Sequence, residues 1–85
     1  MFRLLNRRAL IDLQDESGFT PLHVAAESGN VPACLALLDG GAQKEMTDDL
    51  GWTPLHVAAY TGHSQVASIL LRQGASVNAL TMKMV

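Results

Sequence analysis

The sequence predicts an all-α fold, built as a solenoid of stacked helix-turn-helix units with projecting loops. Three observations lead to this prediction. One segment recurs at a fixed spacing of 33 residues, each copy opens with a Thr-Pro pair before an apolar stripe of helical spacing, and glycines stand where each short helix must end. A fixed period of about 20 to 50 residues indicates a repeat architecture, in which each unit buries its apolar face only against its neighbour.

The repeat extends through most of the chain. Residues 18–26 (GFTPLHVAA) align with residues 51–59 (GWTPLHVAA), and the two copies differ only where Phe19 is replaced by Trp52. The predicted organisation is the C-terminal part of a preceding repeat at residues 1–14, complete repeats at 15–47 and 48–80, and a tail at 81–85.

The fixed residues recur in the same order in both complete copies. Thr-Pro-Leu-His is followed by Ala-Ala, then by Gly, and then by Leu-Leu-x-x-Gly-Ala. This order resembles the ankyrin repeat. Arg8 departs from the pattern, because the later copies have glycine at that position. The resemblance implies an ankyrin-repeat solenoid with projecting hairpin loops. It also implies an interaction module, a scaffold or adaptor that binds another protein on its concave face and hairpin tips.

The first helix of each unit is predicted from its two ends. A threonine hydroxyl can cap the helix, and proline suits the first helical position because no backbone donor is needed there. Glycine then allows the left-handed turn that ends a helix. These signals are Thr20-Pro21 with Gly29 in one copy, and Thr53-Pro54 with Gly62 in the other. The small apolar residues between them, including Ala25, Ala26, Ala58 and Ala59, predict close packing of neighbouring helices.

The second helices are predicted at residues 31–39 and 64–73, with turns at Gly41 and Gly74. Their apolar sides are assigned to Leu35, Leu37 and Leu38 in the first and to Val66, Ile69, Leu70 and Leu71 in the second. Cys34 lies on the same side and is predicted to be a core residue, with a reactive thiol as the alternative.

Composition and charge narrow the classes of function. The chain is 48% hydrophobic and 16% charged, with a formal net charge of −2, so it offers no excess positive charge for direct binding of nucleic acid or anionic lipid. No apolar run reaches the roughly 18 residues of a membrane span, so membrane insertion is not expected. Since Cys34 is the only cysteine, an internal disulfide is impossible, and the sequence favours an intracellular location, cytoplasmic or nuclear.

The histidines are the natural candidates for chemistry, but their positions favour structural roles. His23 and His56 occupy the same place in each copy, three residues after a threonine, where the ring can bond that hydroxyl and a loop carbonyl. His63 precedes a second helix and is expected to be exposed or capping. No phosphate-binding glycine loop, nucleophile elbow or metal motif is present. The sequence therefore predicts no catalytic, cofactor-binding or metal site, and no enzyme activity.

The candidate partner-binding residues are those that vary between the fixed positions, because fixed positions hold the shape while variable ones select the partner. Aromatic residues supply much of the energy in protein interfaces, so Trp52 ranks first as an anchor. The alternative is that Trp52 and Phe19 only cover the repeat seam. The carboxylates nearby indicate a partner with a basic patch, or else a solvated acidic face. The candidate residues are Glu16, Ser17, Phe19, Glu27, Ser28, Asp49, Leu50, Trp52, Tyr60 and Thr61.

A second hypothesis takes the chain as a regulatory or inhibitory segment of a larger enzyme or transcription regulator, as a fragment or short isoform. Its incomplete terminal units motivate it. The family resemblance also implies that Asn78, in its Ser-Val-Asn-Ala setting, is a candidate for asparagine hydroxylation. Apolar residues near the C-terminus, among them Leu80 and Met82, predict modest stability or association through the ends.

Overall fold

The computed structural model describes residues 11–75, and within that range it contains helices and turns but no strand. The helices are α1 (Pro21–Ser28), α2 (Val31–Asp39), α3 (Pro54–Thr61) and α4 (Ser64–Arg72). The all-α prediction is confirmed. Predictions that concern residues 1–10 and 76–85 lie outside the described residues, including those for Arg8, Asn78 and the C-terminal tail.

Both first helices begin at the predicted Thr-Pro pair. The side chains of Thr20 and Thr53 accept hydrogen bonds from the backbone N–H groups of His23 and His56, at 3.3 Å in each case. Each histidine ring accepts a bond in return from the backbone N–H of its threonine. This reciprocal cap satisfies two of the donors that a helix N-terminus leaves unpaired, with histidine in the place that glutamate or glutamine usually takes.

Glycines end the helices as predicted. Gly29 and Gly62 follow α1 and α3 with φ of 71° and 82°, and Gly41 and Gly74 have φ of 94° and 95° after the second helices. These values lie in the left-handed region, where a side chain would be strained. The predicted end of α4 was one residue too late, because Gln73 is already its C-terminal cap.

The core forms where the two helix pairs stack. α1 packs against both α2 and α3, while α4 packs against α3 and α2. The buried apolar residues of both repeats form one cluster, so neither pair buries its own core alone. The largest fully buried apolar side chains are Leu22, Leu55, Leu70, Val66, Pro54 and Cys34.

Two residues assigned to the apolar sides are solvent-exposed, so that part of the prediction was wrong. Leu35 is 46% exposed and Leu71 is 41% exposed. Each lies one residue beyond a fully buried position, Cys34 or Leu70, and one residue in a helix is a rotation of about 100°. That rotation takes both side chains off the face that meets the neighbouring helices.

Hydrogen bonds join the two repeats along the loops. The Asp49 N–H donates to the Ser17 carbonyl oxygen at 3.0 Å, which ties the two loop tips together. Gln14, the last residue of the preceding unit, donates its side-chain amide to the Thr47 carbonyl oxygen at the end of the next unit, at 2.9 Å. The stack therefore presents its loops as one continuous edge.

Candidate functional site

A groove of about 640 Å³ lies between the two loop tips and the inner helices α1 and α3. Nine of the ten candidate residues line it: Glu16, Ser17, Phe19, Glu27, Asp49, Leu50, Trp52, Tyr60 and Thr61. Asp48 and Val57 complete the lining. Its size is within the range of roughly 300 to 1,000 Å³ that ligand pockets occupy.

Ser28 is the candidate residue that does not line the groove. Its hydroxyl donates to the carbonyl oxygens of Val24 and Ala25 at 3.1 and 3.3 Å, which turns it back onto its own helix. The Thr61 hydroxyl makes the matching bond to the Val57 carbonyl oxygen at 2.7 Å, although Thr61 still contributes to the lining. Sequence position alone could not separate these two residues.

Aspartates shape the two loop tips that bound the groove. The Asp48 Oδ1 atom accepts hydrogen bonds from the backbone N–H groups of Leu50 and Trp52, at 2.9 and 2.8 Å. Asp15 accepts the same pair of bonds in the first repeat. These side-chain to backbone bonds hold each tip in a tight turn. Asp48 was therefore missed as a lining residue because it recurs as a fixed structural position.

The two tips lie in direct contact. Gly18 has a φ of 84°, and a Cβ atom placed on it would lie 2.7 Å from the Asp49 backbone nitrogen. Only glycine allows the second tip to approach this closely without displacement. The backbones of the two tips are therefore in contact at this point.

Aromatic rings form the walls of the groove. Phe19 stacks on His23 with ring centroids 5.0 Å apart, and Trp52 is tilted over His56 at 5.6 Å. Trp52 also meets the Tyr60 ring edge to face at 5.1 Å. Phe19 and Trp52 are half-buried and pack against the core, as the alternative interpretation expected. Both nevertheless border the groove, so packing and binding roles are compatible.

His23 forms a hydrogen bond to the backbone of Trp52. Its Nδ1 atom accepts from the Thr20 N–H at 3.1 Å, so the proton of a neutral ring lies on Nε2. Nε2 then donates to the Trp52 carbonyl oxygen at 2.7 Å, across the repeat boundary. The Thr20 hydroxyl also lies 2.9 Å from the His23 Nδ1 atom, so the predicted pair of partners, a threonine hydroxyl and a loop carbonyl, is confirmed for His23.

His63 has a different role from either one predicted. It stands at the N-cap of α4 without making a side-chain cap, and its Nε2 atom pairs with the Glu27 carbonyl oxygen at 3.0 Å. Its ring lies against Gly29, where an added Cβ atom would be 2.6 Å from Nδ1. His63 therefore joins α1 to the start of α4, which no local signal in the sequence indicates.

The groove carries a strong negative bias. Glu16, Glu27, Asp48 and Asp49 line it, while no lysine or arginine does. Within residues 11–75, the carboxylates of Glu16, Glu27 and Asp49 accept no hydrogen bond and form no ion pair. Between these charges, Leu50 and Tyr60 are 75% and 70% exposed, so apolar surface is open to a partner.

Other chemistry is sparse in the described part of the chain. Cys34 is fully buried, and desolvation raises the pKa of its thiol above the ordinary value of 9.0, which disfavours the reactive thiolate. Among residues 11–75, no group of three or more His, Cys, Asp or Glu side chains is placed to hold a metal ion. Nor do these residues include a helix with the length and apolarity needed to cross a bilayer.

Comparison with known proteins agrees with the motif. A family model described as ankyrin repeats (3 copies) matches residues 1–81, which confirms the resemblance inferred from the repeat. A stretch of 41 residues is 46% identical to delta-latroinsectotoxin-Lt1a of Latrodectus tredecimguttatus. That alignment covers 48% of this chain but 3% of the toxin, so the chain spans only a small part of that relative's length.

Proposed function

Because this chain belongs to the ankyrin repeat family, whose members are generally protein-protein interaction modules, we propose that it binds a partner protein in the groove between its loop tips and inner helices. In this role the chain is a scaffold or adaptor. The family is typically non-catalytic, which agrees with a role in binding rather than in catalysis.

One observation carries the proposal. In the loops and first helices, every position that varies between the repeats lines one groove except Ser28, whereas most of the repeated positions there form the core and the caps. Exposed Leu50 and Tyr60 supply apolar contact area, and half-buried Trp52 supplies a rigid aromatic anchor beside them. The carboxylates around these residues favour a partner surface with basic residues. The single buried cysteine supports an intracellular setting, cytoplasmic or nuclear.

Site-specific photocrosslinking tests where a partner docks. A photoreactive phenylalanine analogue replaces Leu50 at the groove in one variant and Leu35 on the outer helix α2 in another. Both positions are exposed leucines, so the pair controls for non-specific crosslinking at an exposed apolar position. We expect one protein to crosslink repeatedly at position 50 and not at position 35. Equal crosslinking at both positions, or crosslinking at position 35 alone, contradicts the proposed site.

The identity of the crosslinked protein also tests the alternative function. Recovery of one enzyme or transcription regulator whose activity changes on binding favours a regulatory or inhibitory segment. Recovery of a protein whose activity is unaffected favours a scaffold or adaptor. Either result uses the same groove, so the alternative changes the partner and leaves the site unchanged.

A further inference from the structure

The most specific chemistry in the groove comes from Glu27 and Tyr60. They occupy matching positions in successive repeats, on the packed helices α1 and α3, and both line the groove. The axes of packed helices lie about 8 to 10 Å apart, so one long side chain lying across both helices in the groove can contact both residues. A carboxylate and an exposed aromatic ring are thus offered to the same incoming group.

Both groups are open to an incoming ligand. The Glu27 carboxylate has no hydrogen-bonding or ionic partner within residues 11–75, because only its backbone carbonyl is engaged, by His63. Tyr60 is largely exposed although its ring touches Trp52. The Trp52 contact restrains the Tyr60 ring before any partner arrives, which lowers the entropy lost on binding.

We propose, on the basis of the proposed function, that this groove takes an arginine side chain from an extended segment of the partner. The guanidinium lies on the Tyr60 ring and pairs with the Glu27 carboxylate, while Asp49 and Glu16 contribute negative charge from the loop tips. An apolar residue beside the arginine packs on Leu50.

Arginine fits this arrangement better than lysine. Its planar guanidinium stacks on aromatic faces and can pair with a carboxylate through two parallel N–H groups. A lysine ammonium keeps the charge but is more strongly hydrated and lacks the planar face. Cation-π contact is favourable when the cation lies within about 6 Å of the ring centroid, which a side chain between α1 and α3 can satisfy.

Trp52 gives a direct readout, since it is the only tryptophan in the chain and contacts Tyr60. The probe is a short capped peptide in which leucine alternates with arginine. Matched peptides carry lysine or citrulline, the neutral isostere of arginine. We expect Trp52 fluorescence to change on titration, with the arginine peptide binding roughly tenfold more tightly than the citrulline peptide and the lysine peptide between them.

Glu27→Gln should reduce the preference for arginine over citrulline to about twofold, since the charged partner is lost while the shape is kept. Asp39→Asn is the matched control, because it removes the same charge from an exposed position outside the groove and should leave the preference unchanged. Equal binding of the arginine and citrulline peptides overturns the arginine proposal while leaving partner binding in the groove intact. So does a preference that survives Glu27→Gln. No response to any peptide also overturns it, whereas the proposed function is judged separately by crosslinking.

Discussion

The nine-residue segments 18–26 and 51–59 are nearly identical, yet matching residues in them can be buried to different extents. Val24 is 49% exposed, whereas Val57 at the matching position is 5% exposed. The difference follows from the neighbouring helix. Val57 lies on α3, which packs against the first helix of the preceding repeat, α1. Within residues 11–75, no helix of a preceding unit packs against α1 in the same way. Local sequence therefore fixes the shape of each unit, and stacking decides what each unit buries.

The same comparison separates the positions that form caps and turns from those that line the groove. Thr20 and Thr53 make the same caps, and Asp15 and Asp48 make the same turns. In the loops and first helices, the residues that differ between the repeats, such as Glu27 and Tyr60, line the groove except for Ser28. Differing residues further along each repeat do not, among them Asn30, which caps its helix, and His63, which joins the repeats.

The largest expected effect is the difference in unfolding free energy between Leu70→Ala and Leu37→Ala, which change matching positions of the second helices. Leu70 is fully buried, so Leu70→Ala should lower the free energy of unfolding by about 2 to 5 kcal/mol. Leu37 is only partly buried, so Leu37→Ala should cost less. Urea unfolding followed by far-UV circular dichroism measures both. A Leu37→Ala loss equal to or larger than that of Leu70→Ala would contradict the packing described.

The second contrast is between Gly29→Ala and Gly62→Ala. Both residues have positive φ, so each substitution should cost about 1 kcal/mol of unfolding free energy. Gly29→Ala should cost more, because its new methyl group meets the His63 ring, whereas nothing lies within 4 Å of the position at Gly62. The excess should disappear when His63→Ala is combined with Gly29→Ala. An excess that persists in that double variant would exclude His63 as its cause.

The smallest effect concerns Cys34, whose counterpart in the second repeat is Ala67. Burial raises the pKa of the Cys34 thiol in the folded chain, while the unfolded thiol ionises near 9.0. The stability that depends on a protonated Cys34 thiol is fully present below that pH. It is lost as pH rises, because the unfolded state then releases a proton that the folded state retains. Wild type should therefore lose stability relative to Cys34→Ala above about pH 9, measured by urea unfolding on both sides of that value. Identical pH dependence in the two proteins would contradict this account.

Much of the fold follows from the sequence because its signals are local. Thr-Pro pairs and glycines acting at short range set the starts of α1 and α3 and the turns that follow all four helices. The exposure of Leu35 was not anticipated, although Ser68 at the matching position in the other repeat is a signal that could have indicated it.

The site could be predicted only in part. Variability between repeats identified most of the groove lining, but Val57 was missed because it belongs to the fixed motif. The bond from His63 to Glu27 joins residues that are 36 positions apart, and only the stacked arrangement brings them together. Contacts of this kind depend on how one unit lies on the next, which a repeat pattern does not specify.

Binding in the groove is tested most directly by measuring the affinity of the crosslinked partner for two double variants. Leu50→Ser with Tyr60→Ser removes exposed apolar area from the groove, and Leu35→Ser with Leu71→Ser removes it from the outer helices. We expect the groove variant to bind at least about tenfold more weakly and the outer variant to stay within about twofold of wild type, with both remaining folded. Equal affinities for the two variants, or a larger loss in the outer one, would contradict the claim that the groove holds the partner.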